Sequence, residues 1–353
     1  MTGSPLRALL DEASSPADVR RTIASRTGWD SALWRALAEA GVLSADRPLT
    51  ALSEVGEELG AALACVPYLS TVVLAGTALA VCGGEETTAE HLPAIASGSV
   101  VATLAVTEDG GRWEEDGLRT VARAGDHPGG HVLDGHKSYV LDGCAADLVL
   151  VAAKDETGTG LFAVAGNAPG LTRSPLVPLD LTRPLARLEL DGVPAHRVGR
   201  PGDGWRVVTE ALDRAAVVLA AEAVGGAQRC LDMATARARG RVQFGRPIGS
   251  FQAVQHKLAD VLVGVEAARS VVAAAATAVD RGDEARALLA SAAKAYSTEA
   301  FVAAASENIQ VHGGLGFTWD HDAHLYLKRA RASALLLGAP AWHRERVARL
   351  LGL

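Results

Sequence analysis

The stretch that decides the fold is Arg241–Asp260, RVQFGRPIGSFQAVQHKLAD. It places an arginine, a Gln-Phe-Gly turn and an Ile-Gly-Ser-Phe-Gln helix start between two long alanine-rich helical patterns. A polar, aromatic, turn-rich interruption between core-forming helices needs a physical reason. A bound anionic, aromatic cofactor would supply one, so the stretch predicts a cofactor site.

A second stretch, Gln310–Leu327 or QVHGGLGFTWDHDAHLYL, interrupts the next helical pattern in the same way. Together the two stretches resemble the C-terminal signatures of the acyl-CoA dehydrogenase family. The first carries the family order R-x-Q-F-G-x-P-I-x-x-F-Q and ends in L-A-D, and the second carries Q-x-H-G-G-x-G-F-T-W. Two long matches in the same order are a far more specific signal than a lone glycine motif.

Composition limits the classes of protein that remain. With 353 residues, of which 49% are hydrophobic, the chain can bury a large core and is expected to form more than one packed unit. Its formal charge of −7 argues against a nucleic-acid partner. Four scattered cysteines without CxxC or zinc spacing are typical of reduced thiols. No export signal and no charge-free apolar run of spanning length is apparent, so a cytoplasmic protein away from the membrane is expected.

The texture of the sequence changes twice along the chain. Alanine- and leucine-rich helical spacing covers 1–99, short β-rich runs between turn residues cover 100–199, and long helical patterns cover 200–353. The predicted fold class is therefore α+β and mostly α. It has an N-terminal helical domain, a middle antiparallel β domain and, as the resemblance implies, a C-terminal four-helix bundle. The four helices are predicted near 206–236, 251–281, 284–311 and 321–336.

The resemblance implies that the first signature binds FAD. Arg241 offers a fixed fork of donors for a pyrophosphate. Phe244 can lie against an aromatic or ribityl surface, while Gln243 and Gln252 can donate and accept at the nucleotide. The alternative is that Arg241 merely caps a helix.

In the second signature, Gln310 is the expected polar contact to the cofactor. Gly313 and Gly314 would let backbone N–H groups approach a phosphate closely, which a Cβ would hinder. The alternative is that the two glycines only turn the chain.

Two stretches of the β-rich zone resemble the loop and the strand beside the flavin ring. Val106 and Thr107 would supply backbone and hydroxyl contacts to the isoalloxazine, and Tyr139 would stack near it. The resemblance stops at Gly110–Trp113, where the family has Gly-Ser-Asp, and at Leu141, where it has a threonine. An ordinary strand with one inward tyrosine is the alternative.

The family's reaction needs a carboxylate that removes an α-proton from an acyl thioester while a hydride leaves for the flavin. Alignment from the two signatures puts the two usual glutamate positions at Leu337 and Ala215, and the neighbouring arginine at Ala216. Neither Leu337 nor Ala215 can accept a proton. The catalytic residue is therefore left unassigned.

Other candidate groups are interpreted as structural. Glu222 lies two helical turns from Ala215, and we expect it to pack or pair rather than act as a base. The same is expected of Glu210, Asp213, Asp320 and Asp322. The spacing of His321 and His324 could suggest a metal, but no third ligand is apparent, so no metal site is predicted.

Three hypotheses follow for function. The first is that the chain is a flavoprotein subunit for α,β-desaturation of an acyl-CoA or other acyl thioester, whose partner subunit supplies the glutamate. The second is a self-sufficient homotetrameric acyl-CoA dehydrogenase with a displaced base. The third is a flavin-less structural or binding member of the fold. The resemblance implies a tetramer and electron transfer to an electron-transfer flavoprotein.

Overall fold

The computed structural model describes residues 5–82, 85–125 and 130–353. The helices are α1 Pro5–Ala13, α2 Pro16–Ile23, α3 Ser31–Glu39, α4 Leu49–Ala61, α5 Gly76–Cys82, α6 Glu85–Ala96, α7 Gly204–Gly240, α8 Gln252–Asp280, α9 Arg286–His312, α10 Ala323–Leu335 and α11 Pro340–Leu350. The strands are β1 Ala102–Ala105, β2 Val121–Ala124, β3 Gly130–Leu141, β4 Leu148–Asp155, β5 Gly158–Ala165, β6 Leu171–Pro175, β7 Leu185–Val198, β8 Val242–Gln243 and β9 Arg246–Pro247.

Two compact units make up the chain, and each is assembled from separate stretches of sequence. The helical unit comprises Met1–Arg20, Pro48–Ala64 and Ala216–Leu353. The β unit comprises Arg21–Arg47 and Cys65–Ala215. The three-domain division at residues 100 and 200 stays a prediction from the texture of the sequence.

The helical unit is built from long helices that approach one another closely. Helices α7 to α10 lie where the four C-terminal helices were predicted, and the mostly α fold class is confirmed; α11 is an additional short helix that begins at Pro340. Glycine permits the closest contacts. A Cβ on Gly225 would lie 1.9 Å from the Glu57 carbonyl oxygen of α4, and one on Gly226 would lie 2.4 Å from the Phe301 ring of α9. The small side chains therefore serve helix packing.

Helix α8 is long and apolar enough, by length and composition alone, to cross a membrane. The most apolar 18-residue window has a mean hydropathy of 1.5, and 39% of it is buried. The helix packs along α9 and against α4 within the helical unit. A core helix of a bundle passes the same test, and the absence of a membrane partner stays a prediction.

In the β unit, five strands pair in a closed ring, in the order β4, β2, β3, β7, β5 and back to β4. Most pairings are antiparallel, as predicted, and closure satisfies strand edges that would otherwise stay open. Two pairings of β4, with β1 and with β2, are parallel. Parallel pairing is possible here because long connections, rather than hairpins, separate these strands.

A buried ion pair supports the inside of this sheet. The Lys137 Nζ atom on β3 lies 3.0 Å from a Glu108 carboxylate oxygen, and Lys137 is fully buried. The same carboxylate oxygen accepts the backbone N–H groups of Arg119 and Thr120 at 2.8 and 2.9 Å. Burial lowers the pKa of Lys137 to about 8, against the opposing effect of the Glu108 charge. Both charges are thus compensated only by each other and by the surrounding hydrogen bonds.

We expect Lys137→Met to lower the unfolding free energy of the β unit by about 3 kcal/mol, because it leaves a buried carboxylate without its cation. Urea unfolding with a β-unit probe measures the effect. Lys154→Met, at a partly exposed lysine of the same unit, is the matched control and should change the free energy by less than about 0.5 kcal/mol. Equal effects of the two substitutions would contradict the assignment.

Candidate functional site

The first signature forms a hairpin that projects from the end of α7. Strands β8 and β9 pair through Val242–Pro247 and Gln243–Arg246, and the two residues at the turn, Phe244 and Gly245, have φ of 53° and 76°. A left-handed backbone is unfavourable for a bulky aromatic residue. The Phe244 side chain is nevertheless 91% exposed. Phe244 makes an edge contact with Phe251, at 6.2 Å between ring centroids.

Positive charge gathers at the same place. Arg237, Arg239, Arg241 and Arg246 lie within the last turn of α7 and the hairpin. None of the four forms an ion pair within the parts of the chain that the structure describes. Arg246 stacks over the ring of Phe251, with its guanidinium carbon 4.2 Å from the centroid. The cluster is therefore available to bind an anion from outside the chain.

The second signature ends α9 in an open glycine turn. Gln310 is exposed, and Gly313 has a φ of 63°. A Cβ on Gly314 would meet no atom of this chain within 4 Å, whereas one on Gly316 would lie 3.2 Å from the Ile309 carbonyl oxygen. The chain's own packing therefore explains glycine at Gly316 but not at Gly314, where the open space can receive a ligand.

The N-terminal helices brace the segment that follows this turn. Arg20 donates to the Trp319 carbonyl oxygen from Nε and Nη2, at 3.2 and 2.9 Å, and forms an ion pair with Asp322. This clamp was not predicted, because a contact between such distant parts of the sequence leaves no local pattern.

The histidines of the second signature have packing and hydrogen-bonding roles. The rings of His312 and His321 lie 4.2 Å apart, and Nδ1 of His321 accepts the Ala323 backbone N–H at 3.1 Å. Burial lowers the pKa of His312 and of His321, so both are neutral near neutral pH. The described residues contain no group of three or more His, Cys, Asp or Glu side chains that could hold a metal ion.

In the β unit, the predicted flavin-edge residues come together at one point. The Thr107 hydroxyl donates to the Ser138 carbonyl oxygen at 2.6 Å, and the Ser138 N–H donates to the Thr107 carbonyl oxygen at 2.9 Å. Val106 is buried, and its carbonyl oxygen accepts from Lys137 Nζ at 3.1 Å. Tyr139 has a φ of 58° and turns a half-exposed ring outward. The arrangement fixes one aromatic ring beside a rigid loop.

The residues that depart from the family pattern make contacts of their own in this structure. Arg112 pairs with Glu114 and Asp116, so the loop after Gly111 is tied to itself. Leu141 is buried and offers no hydroxyl group, while its carbonyl oxygen accepts from the Thr103 hydroxyl at 2.7 Å.

Sequence reasoning missed Asp109, which joins this loop to two strands. It accepts from the Ser138 hydroxyl at 2.9 Å, pairs with Arg187 and lies 3.1 Å from His136. It directly follows Glu108 in the matched loop, and that position was the available signal.

Alkyl side chains occupy the two positions at which the resemblance places the base. Leu337 is 3% exposed, and Ala215 is fully buried. Glu222, the nearest alternative along α7, lies 3.7 Å from Arg329, and both side chains are buried. Asp322 is held by Arg20. The carboxylates of Glu222 and Asp322 therefore serve ion pairs.

The turn around Leu337 is nevertheless held in a specific conformation. Leu337 has a φ of 59°, and its carbonyl oxygen accepts from His343 Nε2 at 3.0 Å. Lys294 on α9 donates to the carbonyl oxygens of Ala334, at 2.7 Å, and Gly338. Lys294 was not predicted, although a lone lysine on an alanine-rich helical face was a visible signal.

Comparison with known proteins places this chain in one family. Residues 202–352 match the family profile described as "Acyl-CoA dehydrogenase, C-terminal domain". The chain is 35% identical to the acyl-CoA dehydrogenase IpdE2 of Mycobacterium tuberculosis, over 96% of this chain and 93% of that protein. The chain therefore belongs to the acyl-CoA dehydrogenase family, whose members use FAD.

Solved structures agree over nearly the whole chain. The ChsE4–ChsE5 complex from Mycobacterium tuberculosis matches with a TM-score of 0.89 and 31% identity, over 98% of this chain and 95% of the matched chain. A variant of the Tcur3481–Tcur3483 steroid ACAD matches with a TM-score of 0.89 and 30% identity, over the same shares. The family and the fold are thus shown along the chain.

We expect Gly314→Ala to change the unfolding free energy of the helical unit by less than about 0.5 kcal/mol, since its Cβ would meet open space. Gly313→Ala should cost about 1 kcal/mol or more, because Gly313 has a left-handed backbone. Chemical denaturation of the two variants measures the difference. A larger loss for Gly314→Ala than for Gly313→Ala would contradict the open geometry.

Proposed function

We propose that this chain is an FAD-binding subunit of a hetero-oligomeric acyl-CoA dehydrogenase and that a partner subunit supplies the catalytic carboxylate. One observation carries the proposal. The surfaces formed by both cofactor signatures are open, while both usual base positions are filled by the buried alkyl groups of Leu337 and Ala215. The chain therefore has groups suited to holding a cofactor and none at the usual places for removing a proton.

The residues present fit FAD. A pyrophosphate needs fixed positive donors, and the last turn of α7 and the following hairpin together carry four arginines without an acidic partner among the described residues. Phosphate approach to backbone N–H groups needs space, which the Gly313-Gly314 turn leaves. The exposed ring of Phe244 suits an aromatic or ribityl surface, and Gln243, Gln252 and Gln310 are exposed and polar.

In this proposal each part of the chain has a distinct task. Arg241 and the Gly313-Gly314 turn bind the anionic end of the cofactor, while Val106, Thr107 and Tyr139 form the edge that positions the ring system. FAD, when bound, accepts the hydride from the thioester's β-carbon. The α-proton leaves to a carboxylate of the partner subunit, because Leu337 and Ala215 cannot accept it.

Comparisons support an assembly of unlike chains. One matched structure is a complex of two differently named proteins, ChsE4 and ChsE5, and another is the steroid enzyme Tcur3481–Tcur3483. We extend this to the present chain as a heterotetramer of the cytoplasm that passes electrons to an electron-transfer flavoprotein. Because a steroid enzyme is among the matches, steroid-derived acyl-CoA thioesters are the first substrates to test, with straight-chain thioesters beside them.

Two other functions make different predictions. A self-sufficient homotetramer with a displaced base would be reduced by an acyl-CoA without a partner. A flavin-less structural member of the fold would purify colourless in every assembly. The unpaired arginines and the open Gly313-Gly314 turn favour a bound anionic cofactor over the flavin-less alternative.

We expect Arg241→Ala to weaken FAD binding by tenfold or more, because a charge-assisted, two-pronged contact to phosphate is lost. Gly314→Ala should weaken it as well, through its Cβ. Flavin absorbance per chain after gel filtration, and titration of the apoprotein with FAD, provide the measurements. Arg281→Ala, at an exposed arginine at the distant end of α8, is the matched control and should leave affinity unchanged.

The partner requirement predicts a second result. Co-expression with a homologous chain that carries the family glutamate should give a stable complex whose flavin band bleaches anaerobically with an acyl-CoA. This chain alone should show no bleaching with the same thioester, since it offers no base. A homotetramer of this chain holding four flavins and bleached by that thioester would contradict the proposal.

A further inference from the structure

Lys294 is a fully buried lysine without an anionic partner. It lies on α9, and its Nζ atom donates to the carbonyl oxygens of Ala334, at 2.7 Å, and Gly338. Ala334 lies in the last turn of α10, and Gly338 lies in the turn between α10 and α11. No carboxylate pairs with Lys294 among the residues that the structure describes. Either form of the amine can donate to these two carbonyl oxygens, but burial without an anion nearby disfavours the ammonium form and favours the neutral one.

The turn that accepts a hydrogen bond from Lys294 has an unfavourable backbone conformation at Leu337. Leu337 has a left-handed backbone, with a φ of 59°, that is unfavourable for a residue with a Cβ. His343 Nε2 donates to the Leu337 carbonyl oxygen at 3.0 Å, and Nδ1 of His343 is buried without a hydrogen-bond partner. Trp342 packs against Gly338, where an added Cβ would lie 2.8 Å from the indole ring. Lys294 and His343 thus hold three carbonyl groups, one in the last turn of α10 and two in the turn that follows it.

We propose that Lys294 is a proton-sensitive latch: its neutral amine holds the 334–338 turn closed, and protonation favours release of the turn together with exposure of the lysine. The physical cause is the difference between the two states of the side chain. Closed, the amine is satisfied by two carbonyl oxygens and excluded from water. Released, it can carry a hydrated charge. The proposal rests on the geometry of the helical unit and does not depend on a cofactor or a partner subunit.

The charged groups around Lys294 do not replace the water that would stabilise its protonated form. Glu299, on the same helix, is the acidic group whose charge acts on Lys294, and it is half exposed and paired with Arg344. From α11, the neutral His343 lies close enough to feel the Lys294 charge, and Arg346 donates to the Ser291 hydroxyl on α9 at 3.1 Å. From α10, Lys294 meets the Ala334 carbonyl oxygen.

The direction of the pH effect follows from burial. Burial lowers the pKa of Lys294 from its ordinary 10.5 to about 7. Between these values a released lysine binds a proton that the closed turn does not bind. Closure is therefore favoured as pH rises through this window, by up to about tenfold per pH unit, and is independent of pH below it. Burial and the Lys294 charge lower the pKa of His343 to about 3, so His343 does not titrate in this window.

Amide hydrogen exchange of the full-length chain between pH 6 and 9 tests the latch. The protection factors of the Leu336 and His343 amides, corrected for the intrinsic exchange rate, should rise several-fold per pH unit above pH 7. Amides in the middle of α9 serve as the internal reference and should not follow this slope. Lys294→Met should abolish the slope, and the permanently charged Lys294→Arg should give low protection at every pH.

Two outcomes would overturn the proposal. One is a flat protection profile for the turn from pH 6 to 9, and the other is a slope that survives in Lys294→Met. A second measurement covers the case in which the variants fail to fold. NMR titration of the Lys294 ε-methylene group in the unmodified chain should give a midpoint far below 10. A midpoint at the ordinary lysine value would equally refute the latch.

Discussion

The packing of two alkyl side chains, Leu337 and Ala215, is the constraint on which the rest depends. The resemblance to the family predicts a carboxylate at one of these two positions, but both hold buried alkyl side chains. A methyl group cannot accept a proton, whatever its surroundings. Every function assigned to this chain therefore has to place the base elsewhere. Two acidic groups considered as alternatives already form ion pairs, Glu222 with Arg329 and Asp322 with Arg20.

Within the helical unit, the two signature stretches present open surfaces. Long helices carry these surfaces, and small residues such as Gly225 and Gly226 let the helices pack closely enough to fix where α7 and α9 end. The hairpin after α7 holds Phe244 in a left-handed backbone conformation with its side chain 91% exposed. A surface of this kind is expected where a ligand or a second chain completes the structure.

Local patterns in the sequence predicted the parts that depend on neighbouring residues. Helical periodicity located α7 to α10, and the alternation of turns and β-rich runs located strands β1 to β7. Motif spacing located the hairpin and the glycine turn. The parts that escaped prediction depend on contacts between distant residues. The ring closure by β4 and β5, the Arg20 clamp and the Lys294 grip all join segments whose pairing leaves no periodic trace in one sequence. The left-handed Leu337 escaped for the same reason, since tertiary contacts stabilise a conformation that its residue type disfavours.

In the proposed assembly, this chain holds the flavin and the partner subunit takes the proton. The most direct measurement uses the assembled complex of this chain with its glutamate-bearing partner, at an acyl-CoA concentration that bleaches the flavin. Replacing that glutamate of the partner by glutamine should slow anaerobic bleaching of the flavin by about a thousandfold or more, while FAD stays bound. Bleaching at an unchanged rate in the glutamine complex would contradict the account, because the base would then have to lie within this chain.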